Sequence, residues 1–258
     1  MPISLSLENR VALITGGSRG IGSAAVRMFA AAGAKVMFSY ERAKEQAERL
    51  VKEVGENRCA TMAVDLSRID SAGELVQGTV DRFGKLDVLV ANHGIWESRD
   101  VPIDQMPEQQ WRRTLAINVD AVYALIKHSV AQMKKQGQKP AGHIVLVSST
   151  AGQRGEAFHC DYAASKGAII SMVKGLSTEL ARDGIYVNCV APGWVETDMS
   201  KPALNDATTR PKIFATIPLG RVAKPEEIAA PILFLCSEYA GFITGEIFNV
   251  NGGAVLVG

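Results

Sequence analysis

The chain has 258 residues, of which 47% are apolar and 21% charged, enough for one large α/β domain with a substantial core. A net charge of +1 gives no electrostatic basis for binding nucleic acid or an anionic membrane. No apolar run approaches the ~18 residues of a membrane span, and the first residues lack a basic stretch followed by an apolar one, so neither anchor nor signal peptide is expected. The four cysteines (Cys59, Cys160, Cys189, Cys236) are scattered, without a Cys-x-x-Cys pair. They read as packed thiols of a cytoplasmic protein, not as disulfides or metal ligands.

Along the chain, short apolar runs alternate with longer amphipathic ones. The run 11–15 predicts a strand, followed by glycines and a helix to about Ala32, with Gly33 at the position just past its end. Residues 35–39 form a second strand candidate and 42–54 a charged helix. Residues 59–64 suit a third strand, and 67–83 a helix with Ser67 as its N-cap. Residues 86–90 give a fourth strand and 107–135 a long helical region opened by Pro107. A fifth strand at 143–147, a helix at 161–182, a sixth strand at 185–190, a helix at 225–236 and a seventh strand at 246–250 complete the pattern. Such alternation predicts right-handed βαβ units and a single doubly wound domain over 1–258. Its sheet should be seven-stranded and mostly parallel, with helices on both faces. Residues 197–217 show no periodicity and are expected to form an irregular substrate loop.

The segment from Thr15 to Gly22, with glycines at 16, 17, 20 and 22, follows the first strand and opens the first helix. Glycines let the backbone turn and approach a pyrophosphate, while the helix N-terminus offers free N–H groups and a positive dipole end. The spacing is Gly-x-x-x-Gly-x-Gly, not the usual Gly-x-Gly-x-x-Gly, so position after the first strand is the stronger argument for a dinucleotide site. An acid at the end of the second strand would receive a free ribose 2′-hydroxyl, yet Tyr40 stands near that place. Arg19 and Arg42 are suited to clamp a 2′-phosphate, which favours NADP(H) over NAD(H). Glu41 is one step off and is expected to point away.

Tyr162 and Lys166 lie four residues apart on one predicted helix face, with Ser149 upstream at the end of the fifth strand. An ammonium beside a phenol favours the phenolate, so Lys166 is expected to lower the Tyr162 pKa and make it a proton donor and acceptor.

These motifs, in this order, resemble the short-chain dehydrogenase/reductase family over essentially the whole chain. The loop Gly16, Ser18, Arg19, Gly20, Ile21, Gly22 is similar to its cofactor loop. Asp65, before Leu66, matches the acid that receives the adenine amino group. Asn92-His93-Gly94 resembles the family's Asn-Ala-Gly, with His93 in place of alanine. Asn118, Ser149, Tyr162 and Lys166 match its catalytic tetrad. Pro192-Gly193, with Val195 and Thr197 after it, resembles the segment that holds the nicotinamide carboxamide. The resemblance implies hydride transfer between a nicotinamide cofactor and a carbonyl or secondary alcohol. Tyr162 would protonate the carbonyl oxygen, Ser149 would hydrogen-bond it, and Lys166 would bind the ribose. Asn118 would hold, by its backbone carbonyl, a water leading to solvent. No metal is implied.

The substrate is less legible. His93, Trp96, Arg154 and Trp194 fall in segments expected around the pocket and are candidate contacts. His93 reads either as a substrate-facing group or as a pocket lining without chemistry. The nearest subgroup by resemblance is the 3-oxoacyl-ACP reductase-like set. Its docking arginines would fall near Pro140 and Asp183, and Lys134, Lys135, Lys139 and Arg182 lie close. Specific reduction of a carrier-bound 3-oxoacyl group is one alternative, and a non-catalytic NADP(H)-sensing protein is another. The family usually forms tetramers, so a homotetramer or dimer is expected.

Overall fold

A computed structural model describes residues 5–257. In chain order its main elements are β1 (Val11–Ile14), α1 (Gly20–Ala31), β2 (Lys35–Tyr40), α2 (Lys44–Val54), β3 (Cys59–Ala63), α3 (Ser71–Phe83) and β4 (Val88–Ala91). Then follow α4 (Glu108–Leu115), a π turn (Ala116–Asp120), α5 (Ala121–Lys135), β5 (Gly142–Val147), α6 (Thr150–Arg154) and α7 (Cys160–Leu180). The chain closes with β6 (Ile185–Pro192), α8 (Lys201–Asn205), α9 (Thr209–Ala215), α10 (Pro225–Leu235) and β7 (Ile247–Val250). The seven strands form one sheet in the order β3-β2-β1-β4-β5-β6-β7, and every pairing is parallel. The doubly wound architecture expected from sequence is the one observed.

Near-continuous apolar strands follow from two covered faces. Ile14, Val36, Phe38, Val90 and Val145 face a cluster with Val26 and Phe29 of α1, Leu50 of α2 and Ile232 of α10. Their neighbours Leu13, Leu89, Ile144 and Leu146 face the other side, against Leu75 of α3, Leu125 and Met133 of α5, and Ile169 and Val173 of α7. Strand order reverses between β1 and β4, so the carboxyl ends of β1, β4 and β5 open onto a common crevice, where ligands bind in such sheets.

Several local expectations change. Ser67 does not cap α3, because the Asp65 carboxylate accepts its N–H at 2.9 Å in a tight turn and the helix starts at Ser71. Residues 197–217 are not irregular, for they hold α8 and α9, each too short to carry a periodic signal. The helical region after Pro107 is interrupted by the π turn. Helix α6, only five residues long, was not foreseen. Among the described residues no helix is long and apolar enough to cross a membrane.

The core also buries His143 of β5, only 5% exposed and stacked on Tyr186 with ring centroids 5.0 Å apart. Its Nδ1 has no partner, and burial, with Arg10 nearby, pushes its pKa down to about 4. The unfolded chain takes this proton near pH 6.5 but the folded protein only near 4, so stability falls as pH drops through that window. His143→Phe should therefore lose about 2 kcal/mol less stability than the parent between pH 7 and 4.5, read by urea unfolding at both values. An identical acid sensitivity in the two proteins would refute the assignment.

Candidate active site

A cavity of about 800 Å³ runs along the carboxyl edge of the sheet. At one end it is bounded by Gly16, Ser18, Arg19, Gly20 and Ile21 of the glycine loop. The Arg19 N-cap of α1 makes no side-chain capping bond, so the first-turn N–H groups are left to a ligand. Gly16 and Gly20 have φ of +64° and +53°, where a side chain would be strained. Gly22 does not line the cavity: a Cβ there would lie 2.1 Å from the Gly16 carbonyl oxygen, so its role is to let α1 close on the loop. Tyr40 at the end of β2 and Arg42 after it, Asp65 and Leu66 after β3, and Asn92 and Gly94 after β4 continue the wall. Pro192 at the end of β6 and Gly193, Val195 and Thr197 after it complete the wall. Glu41 also faces the cavity, contrary to expectation, because the strand ends at Tyr40 and alternation ends with it. Glu41 pairs with Arg42 at 3.0 Å, and Asp198 with Arg19 at 3.6 Å. An elongated crevice with an uncapped helix N-terminus and a glycine-shaped floor fits a dinucleotide.

At the centre, Ser149 is the N-cap of α6, its Oγ accepting the Ala151 N–H at 3.1 Å, and it faces the cavity together with Tyr162 and Lys166. The Lys166 side chain is buried at 5% exposure, with Nζ donating to the Val147 carbonyl at 2.8 Å and lying 5.8 Å from the Tyr162 ring centroid. Burial pushes Lys166 down to about 8. Burial likewise pushes Tyr162 up to about 12, against the Ser149 hydroxyl, which pulls it down, and with Glu156, which adds to the rise. The expectation that Lys166 lowers Tyr162 is thus corrected: the ammonium is turned to the end of β5, and desolvation of the phenolate dominates. Asn118 sits behind the cavity in the π turn. Its amide accepts the Ile95 N–H at 2.8 Å and donates to the Ile95 carbonyl at 3.0 Å and to Ser165 Oγ at 3.0 Å.

Trp96 and Trp194 also line the cavity and pack edge to face, with centroids 6.0 Å apart. Trp96 also rests on His159, whose Nε2 meets Asp100 at 3.2 Å. Arg154 and Glu156 line the same cavity. Burial raises the pKa of the Glu156 carboxyl. His93 borders the cavity, but Nδ1 meets Thr15 Oγ1 at 2.7 Å and Nε2 the Ile117 carbonyl at 3.0 Å, so neither nitrogen is free for a substrate. Sequence reasoning missed Thr15 and Ser165, whose small hydroxyls carry no motif of their own. It also missed buried Asp161, which accepts from Thr114 at 2.7 Å and so ties α4 to the first turn of α7, beside Tyr162.

A tyrosine, a buried lysine and a serine at the switch point of a parallel sheet, beside a dinucleotide crevice, define a nicotinamide-dependent oxidoreductase. A profile described as enoyl-(acyl carrier protein) reductase matches residues 16–255. The chain is 38% identical over 253 residues to a 3-oxoacyl-(acyl-carrier-protein) reductase of Vibrio cholerae, covering 98% of this chain and 100% of the relative. A Brucella melitensis crystal structure described as a glucose/ribitol dehydrogenase superposes with TM-score 0.90 at 36% identity, covering 99% of this chain and 100% of that one. A 3-ketoacyl-(acyl-carrier-protein) reductase of the same organism, complexed with NADH, gives 0.88 at 34%, covering 97% and 100%. The chain belongs to the short-chain dehydrogenase/reductase family, within its 3-oxoacyl-ACP reductase-like group. It is an NAD(P)-dependent oxidoreductase acting on ketones or secondary alcohols.

Lys166 loses its proton near pH 8, well before Tyr162 titrates near 12. Carbonyl reduction should therefore be flat below about pH 8 and decline above it as the ammonium is lost, while the phenol is still protonated. In Lys166→Arg, whose guanidinium stays charged, the residual activity should show no such limb. A pH profile of kcat/KM that keeps the limb in the arginine variant would assign it elsewhere.

Proposed function

We propose that the enzyme reduces a compact ketone with NADPH, Tyr162 delivering the proton to the carbonyl oxygen. The observation that carries this reading is geometric: Ser149, Tyr162 and Lys166 line the same crevice as the glycine loop, and the buried phenol is held in its protonated form. Bound in the crevice, the nicotinamide supplies the hydride. Ser149 hydrogen-bonds the carbonyl oxygen and stabilises the charge that develops there. Lys166 binds the ribose hydroxyls and passes a proton inward to Tyr162. The backbone carbonyl of Asn118 orders the water that resupplies Lys166.

Preference for NADPH rests on Tyr40 standing where an acid would serve NADH, and on Arg19 and Arg42 at the same end. Both arginines are in exposed pairs, with Asp198 and Glu41. Such pairs contribute little, whereas a phosphate dianion between two guanidinium groups gains charge-assisted bonds. For the substrate, the Trp96–Trp194 pair supports a flat apolar body. A second reading, reduction of a carrier-bound 3-oxoacyl thioester, is favoured by the similarity to the Vibrio cholerae reductase. Against specific docking of an acidic carrier, Lys134 is already ion-paired with Asp183. We assign a cytoplasmic location from the four unpaired thiols, of which Cys59, Cys189 and Cys236 are buried. We assign a homotetramer or dimer because Phe242, Leu256 and Val257 stand exposed toward the C-terminal end of the chain, and sedimentation tests it.

Tyr162→Phe should lower turnover by about a thousandfold and leave NADPH binding by fluorescence within a few-fold. Retained turnover would sink the mechanism. Tyr40→Asp should move the ratio of catalytic efficiencies toward NADH, and an unchanged ratio would remove the argument for NADPH. Cofactor oxidation across cyclic ketones, keto-sugars and acetoacetyl thioesters, free and carrier-bound, separates the two substrate readings. Activity confined to the carrier-bound thioester would overturn the first.

A further inference from the structure

His93 stands where the resemblance leads one to expect alanine, and its ring joins the two halves of the site. Nδ1 lies 2.7 Å from Thr15 Oγ1, at the root of the glycine loop. Nε2 lies 3.0 Å from the carbonyl oxygen of Ile117, in the π turn one residue before Asn118. A carbonyl only accepts, so Nε2 carries the ring proton and Nδ1 accepts from the Thr15 hydroxyl. That hydroxyl oxygen in turn accepts the N–H groups of Asn92 at 3.1 Å and His93 at 3.2 Å. The network therefore runs in one direction through a neutral imidazole, with the Thr15 hydroxyl also lying 3.5 Å from the Val90 carbonyl.

A π turn places an extra residue in the helical ladder and is often found at functional sites. Here the Ile117 carbonyl has an outside donor, the imidazole. On the opposite side the Asn118 amide holds both backbone groups of Ile95 and the hydroxyl of Ser165, which lies on α7 next to Lys166. Thr15 belongs to the cofactor loop, since the Asn92 amide donates to its carbonyl at 3.0 Å and to that of Gly16 at 3.3 Å.

We propose that His93 is a positioning residue, which fixes the π turn to the root of the cofactor loop and thereby aims the Asn118 backbone at the proton path through Lys166. The proposal rests on the roles given to Asn118 and Lys166 under Proposed function. A neutral ring also keeps a second positive charge away from the Lys166 ammonium. Alanine removes bulk and two bonds but inserts nothing, and thermal unfolding of the variant checks that it is folded.

The test compares His93→Ala, His93→Gln and His93→Phe under reduction of one working ketone. The alanine variant should lose about 10- to 100-fold in kcat while its KM for cofactor changes little, the range expected when a reacting group is misplaced by about an ångström. Its solvent deuterium isotope effect should rise, because proton delivery becomes limiting, whereas the effect from 4-deuterated cofactor should not. Glutamine, with a donor for Ile117 and an acceptor for Thr15, should recover most of the rate, and phenylalanine, which only fills space, should not. An alanine variant with unchanged kcat and isotope effects would overturn the proposal. So would rescue by phenylalanine, which would reduce His93 to packing. Tyr162→Phe serves as the reference: if it retains turnover, the underlying mechanism falls and this proposal with it. If it is inactive while His93→Ala is unaltered, this proposal falls alone.

Discussion

The site depends on holding an ammonium inside the protein. Lys166 is buried on α7, and its charge is tolerated because Nζ reaches the Val147 carbonyl at the carboxyl end of β5. The surroundings give way to admit it. Gly94 leaves room, since a Cβ there would lie 3.3 Å from Nζ. Gly152 lets α6 lie on α7, because a Cβ there would lie 2.5 Å from the Lys166 carbonyl carbon. The Ser148 hydroxyl holds the Lys166 carbonyl oxygen at 2.7 Å. These contacts join the ends of β4 and β5, and the segments that follow them, to the helix that carries Tyr162. A parallel sheet supplies the geometry, because all its carbonyl ends point to one side.

Most of the fold was legible because period and punctuation agree. Strands such as Val11–Ile14 and Gly142–Val147 are apolar on both faces, and turn-forming or polar residues bound them. Illegible parts were those where a single side chain redirects the backbone. The Asp65 carboxylate takes the N–H of Ser67 and delays α3. The Asp206 carboxylate accepts the N–H groups of Thr208 and Thr209 and starts α9 in a segment without a periodic face. Such effects act over two or three residues, less than the window in which periodicity can be read.

For the site, residue types and spacing located the cavity wall, and Gly16, Tyr40, Asn92, Ser149 and Tyr162 all face it. What spacing could not supply was electrostatic environment. Four residues between Tyr162 and Lys166 place them on one helix face, but the direction of each pKa shift follows from burial, which is a property of the assembled layers. The same holds for His93: its sequence position put it at the ligand edge, whereas its two hydrogen bonds turn it inward.

These shifts also bear on direction. A phenol raised to about 12 is a reluctant base and a persistently protonated donor, and an ammonium lowered to about 8 gives up its proton easily. Carbonyl reduction draws on the phenol and alcohol oxidation on the phenolate, so burial around Tyr162 favours the protonated, donating form. Oxidation of an alcohol needs the phenolate, and the neighbour that opposes the phenolate is the Glu156 carboxyl. The Glu156 carboxyl, itself raised by burial, lines the same cavity as Tyr162, so negative charge at either group disfavours negative charge at the other.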